Sequence, residues 1–134
     1  MTHDQLWRDV ETRLADERAK IQGVKFTLHF VPPGGGGQEF SADVVDAQRV
    51  PTVGEYLHVT RDGAAGADFF RVLQVGANYR ESSYKEHEYT EGGISVVAEY
   101  IEGPQGYMSE EHRGLIEAYK RNGLEVHKEP PWGY

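Results

Sequence analysis

Between residues 24 and 101 the apolar side chains recur at every second position, in short runs separated by glycine and proline, and few folds accept that pattern. Val24, Phe26, Leu28 and Phe30 alternate with Lys25, Thr27 and His29. Pro32, Pro33 and the glycines at 34–37 break the run, after which Phe40, Ala42 and Val44 alternate with Ser41 and Asp43. The two runs predict a hairpin with a glycine tip. A Pro-x-x-Gly turn at 51–54 leads into a third strand over 55–60, with Leu57 and Val59 on one face. Small residues fill a loop at 61–66. The run 68–75, with Phe69, Phe70, Val72, Leu73 and Val75, is the most apolar and predicts a central strand. A fifth strand spans 94–101, bounded by Gly92 and Gly93 before it and by Gly103 and Pro104 after it. No segment between these runs is long enough for a crossover helix, so the sheet is expected to be antiparallel.

Helical periodicity flanks this core on both sides. Thr2 and Gln5 form a capping box, and Trp7, Val10, Leu14 and Ile21 make one apolar stripe over 3–22. Asp4/Arg8, Asp9/Arg13 and Asp16/Lys20 are acid-before-base pairs one turn apart. A second helix over 109–122 starts at Ser109 with Glu110 and Glu111 in its first turn. Lys120 and Arg121 sit at the opposite end of the dipole, and Asn122-Gly123 with Leu124 beyond matches a Schellman close. An extended tail over 124–134 carries Trp132 and Tyr134. The expected fold is therefore α+β, with 1–134 as a single domain. It is a five-stranded, mainly antiparallel small β-barrel or strongly curled sheet flanked by an N-terminal and a C-terminal helix. An open sheet covered by the two helices is the alternative.

Composition narrows the function classes. The chain has 134 residues, a formal charge of −8 and no cysteine. The acidic balance argues against nucleic acid and anionic membrane as partners. The missing thiols exclude disulfide scaffolds, thiolate metal sites and cysteine nucleophiles. With no visible signal segment or membrane span, the expected setting is cytoplasmic.

The segment 76–93 is longer than a hairpin requires and is rich in tyrosine and charge. Tyr79, Arg80, Tyr84, His87 and Tyr89 are the candidate binding residues, because Tyr and Arg anchor interfaces and long loops carry function. The plainer reading extends the hairpin as wet strands over 71–79 and 84–89, which would itself make a partner-binding arm or a dimerising edge. His87 lies among Glu86, Glu88 and Glu91, but a His-Glu-x-x-His zinc motif would need histidine at 91, so no metal is assigned. The glycines at 34–37 lack the Lys-Ser/Thr and the helix of a phosphate loop. Ser82, Ser83 and Ser95 sit in no nucleophile elbow. No cofactor is expected. A stacking surface for single-stranded nucleic acid would need Phe26, Phe30, Phe69 and Phe70 outside, whereas they read as core. The first hypothesis is a non-enzymatic interaction or ligand-binding module acting through 76–93, with a protein partner or self-association favoured over a small molecule. A small enzyme using His87 or His112 with a nearby glutamate is the second. A self-associating assembly subunit is the third.

Overall fold

The computed structural model describes residues 5, 8–10, 23–37 and 40–131. Gln5 and residues 8–10 are helical and exposed; the remainder of the expected 3–22 helix, and Trp132 and Tyr134 of the tail, lie outside the described residues.

The alternating runs form five strands, β1 (Val24–Val31), β2 (Phe40–Ala47), β3 (Tyr56–Val59), β4 (Asp68–Glu81) and β5 (Tyr89–Tyr100), followed by one helix, α1 (Glu110–Arg121). They make a single sheet in the order β2-β1-β5-β4-β3, curled into a half-barrel. The α+β expectation of a strongly curled, mainly antiparallel sheet holds. Two details differ. β1 and β5 run parallel, Thr27 beside Ser95 through Val31 beside Glu99, so the sheet is mixed. No crossover helix is needed, because β2, β3 and β4 themselves carry the chain from one parallel strand to the other. The middle strand is β5, with the more apolar β4 beside it, since β5 bonds both β1 and β4. Gly92 and Gly93 do not bound β5; they lie inside it as a bulge, with Asn78 opposite Gly93 and Tyr79 opposite Glu91. A second bulge makes Leu73 the extra residue between Val72 and Gln74, and bulges of this kind bend a sheet.

One face of the sheet carries the core. Phe26, Leu28, Phe30, Phe70, Val72, Val96, Ala98 and Tyr100 are buried there with Ile116 and Tyr119 of α1. Phe30 packs 4.4 Å, centroid to centroid, from Phe70, and Phe70 meets Tyr100 edge-on at 4.8 Å. A smaller cluster of Phe69, Ile101 and Met108 lies at the helix-bearing end. Each of the four phenylalanines named above is at most 7 % exposed; Phe69 and Phe70, adjacent on β4, point to opposite faces and are buried in the two separate clusters.

The ends of α1 follow from their residues. Ser109 Oγ accepts the His112 amide at 3.1 Å, with Glu110 and Glu111 at the positive end of the helix dipole. At the other end Leu124 N–H bonds the Tyr119 carbonyl and Gly123 N–H the Lys120 carbonyl, with Gly123 at φ +82°. That is the Schellman close. A parallel bridge between Ala67 and Met108 ties the start of α1 to the start of β4.

Candidate functional site

β4 and β5 outrun the rest of the sheet. β1 pairs with β5 only from Ser95, and β3 reaches β4 only as far as Arg71, with the 54–55 backbone bonding Val72. From Ala77 opposite Ile94 to Glu81 opposite Tyr89, the two strands pair with each other alone among the described residues. The result is a two-stranded arm whose tip, 82–88, is closed by the Ser82 amide on the Glu88 carbonyl at 2.6 Å. Nearly every residue of the arm is exposed on both faces.

The five candidate residues all lie on this arm, but they do not converge. Alternation continues the core face outward through Val75 opposite Val96 and Ala77 opposite Ile94, and so to Tyr79. Tyr79 stands opposite Glu91 and Tyr89 opposite Glu81, which makes the two tyrosines diagonal neighbours on one face. Arg80, opposite Thr90, points to the other face. Tyr84 and His87 are in the tip, His87 in the left-handed region at φ +65° with its amide 3.4 Å from Glu81 Oε1. Exposures of 67 % at Tyr79, 95 % at Tyr84 and 60 % at Tyr89 leave three aromatic rings in solvent. Residues spread over two faces and a tip enclose no small molecule; they offer a surface. The expectation that strands extend through 71–79 holds, while 84–89 is mostly tip. Among the described residues no three His, Asp or Glu side chains group to hold a metal ion.

The other candidate chemistry centres on His112. Asp68, Ser109 and His112 lie together and are buried, yet their bonds are not those of a catalytic triad. Ser109 Oγ donates to Asp68 Oδ1 at 2.7 Å while accepting the His112 amide. Arg61 Nη2 holds the second Asp68 oxygen at 2.9 Å and Arg61 Nη1 reaches Glu111 at 3.0 Å. His112 Nε2 lies 2.8 Å from the Ile101 carbonyl and 3.3 Å from the Phe69 amide; the nearer partner only accepts, which places the proton on Nε2. Nδ1 is then bare, buried, without a hydrogen-bond partner and 4.0 Å from Asp68 Oδ1. Burial pushes the His112 imidazole below the ordinary histidine range, against the opposing pull of the Ile101 carbonyl and Asp68. Within this cluster no serine hydroxyl bonds the imidazole ring to become an activated nucleophile. The cluster fixes the start of α1 beside a cleft of about 470 Å³ lined by Arg61, Gly66, Asp68, Ser109, Glu110 and Glu111.

Sequence reading missed a polar ladder on the sheet face opposite the core. Arg71 Nη1 donates to His127 Nδ1 at 3.0 Å and Nη2 to Glu99 at 3.0 Å. Because guanidinium cannot accept, His127 presents Nε2–H to the Tyr56 hydroxyl at 2.8 Å. His58 Nε2 meets Glu129 Oε1 at 2.8 Å, and Glu129 is 5 % exposed. The tail is thus strapped across β3 and β4, with the Glu102 amide on the His127 carbonyl and the Glu129 amide on the Glu102 carbonyl. A cavity of about 250 Å³ beside it is lined by Gly34, Arg71, Glu99, Glu125 and His127. The signal lay in the outward positions of two strands, Arg71 and Glu99, which face each other only once the register is known.

No helix among the described residues is long and apolar enough to cross a membrane. Compared with known proteins, the chain matches no family model, no curated protein and no solved structure, so the functional reading rests on the geometry of the arm.

Proposed function

We propose that this chain is a protein-interaction module and that the arm of residues 76–93 holds its partner. The observation that carries this is a two-stranded ribbon with no apolar layer on either face. A ribbon of that kind is marginal in water by itself, and it gains a reason to exist when another chain covers it. Its three exposed tyrosines supply area at low entropic cost, and its unpaired backbone edges supply hydrogen bonds. An enzymatic role for His112 finds less support, because its ring is buried and bonded to the main chain.

The test places the photo-crosslinking residue p-benzoylphenylalanine at Tyr84 in one version of the chain, and at Leu124, beyond α1, in another. Irradiation in the cells that express them is expected to give a discrete adduct from position 84 and none from 124. Absence of any adduct from 84, or the same adducts from both positions, overturns the reading. The mass of the adduct also separates a second copy from a different protein.

A further inference from the structure

We infer that the partner of the arm is a second copy of this chain, paired antiparallel along the outer edge of β4 at residues 74–79; this rests on the reading of the arm as the interaction element. Folded chains guard their free strand edges, and the two outermost strands here are guarded. β2 carries Asp43 and Asp46, and a bulge at Asp46, whose φ is +57°, bends it. β3 is only 4 residues long. The outer edge of β4 at 74–79, just past the Leu73 bulge, is longer than β3 and has no bulge of its own. Gln74, Val75, Gly76, Ala77, Asn78 and Tyr79 include no charge and no proline, and no strand covers them among the described residues. Val75 is 37 % exposed and Tyr79 67 %.

The run is complementary to itself. With a two-fold axis through Ala77, Val75 faces Tyr79 of the second copy and Gly76 faces its Asn78. Gln74 faces Arg80, and the two Ala77 side chains meet on the axis. The valine–tyrosine pair occurs twice, on the face that carries the core, and no like charges are opposed. A one-residue slip in the pairing would set the apolar face of one copy beside the polar face of the other. Moving the axis to Asn78 would put Val75 against Glu81. In the favoured register the second copy pairs as far as its Arg80 beside Gln74, and its tip, with the exposed Tyr84, then passes over the 54–55 backbone that already bonds Val72. Val53, in the adjoining turn, is 65 % exposed.

Sedimentation velocity on the full chain, from about 1 µM to about 1 mM, tests the pairing. The unmodified chain is expected to shift from monomer to dimer. Ala77→Glu and Ala77→Lys, at an exposed position, are each expected to stay monomeric because like charges would meet on the axis. An equimolar mixture of the two is expected to restore the dimer, which also shows that both variants fold. A chain that stays monomeric throughout overturns the self-pairing while leaving the arm itself to the Tyr84 adduct. A dimer indifferent to both substitutions, or a mixture that fails to restore it, overturns the register and with it the proposal.

Discussion

At Gly103 an added Cβ would stand 2.5 Å from the ring carbons of Phe69, itself 1 % exposed, so neither partner has room to move. Gly103→Ala is expected to destabilise the chain by about 1–3 kcal/mol through overpacking, measured as a fall in urea midpoint with the slope unchanged. A neutral result would mean the ring is not held there. His112 makes a different kind of demand. Its folded-state pKa lies below the unfolded value of about 6.5, so the unfolded chain takes up the proton first. The stability contribution is complete above that value and is lost as pH falls from it toward the folded value. Denaturant titrations at stepped pH should show the unmodified chain weakening below about pH 6.5. His112→Gln should be weaker at neutral pH but flatter across the same window. An equally steep loss in the variant would place the acid sensitivity elsewhere.

For the elements, the arm and the sheet make separable claims. If the arm contributes no core, joining Ala77 to the opposite Ile94 through a two-residue Asn-Gly turn should leave the thermal midpoint within a few degrees. That corresponds to about 1 kcal/mol or less, while every cross-link from the arm is lost. A collapse of the midpoint would show that the arm belongs to the folding unit. This division was partly legible in the sequence. Strict alternation at Phe26, Leu28 and Phe30 and the paired phenylalanines at 69 and 70 announced buried faces, because period-2 burial is a local property. Ser109 and Gly123 likewise marked the ends of α1 through local bonds. The parallel pairing of β1 with β5 was not legible, since it joins residues far apart in the chain and depends on the whole topology. The Arg71–Glu99–His127–Tyr56 ladder was hidden for the same reason: its members become neighbours only after register and tail path are set. The candidate residues 79, 80, 84, 87 and 89 were named from composition, and composition cannot say that they divide between two faces and a tip.

The whole molecule carries a formal charge of −8, and on the arm acids outnumber bases around an uncharged edge. Two such chains repel at long range while their edges attract at short range. Self-association is therefore expected to tighten as salt rises from about 20 mM to about 500 mM, because screening shortens the reach of the repulsion. Association that weakens with salt would point to a basic partner site instead. The half-barrel provides the rigid base from which the arm extends, with buried phenylalanines and the capped helix at one end and exposed tyrosines at the other. The most direct measurement of the central claim is amide hydrogen exchange on the dilute monomer, residue by residue. The account predicts that amides at 96–100, inside the sheet, exchange slowly, while those at 77–93 exchange orders of magnitude faster, as an unpacked arm must. Equal protection in the arm and in the middle of the sheet would contradict it, since the isolated chain would then already cover the surface assigned to a partner.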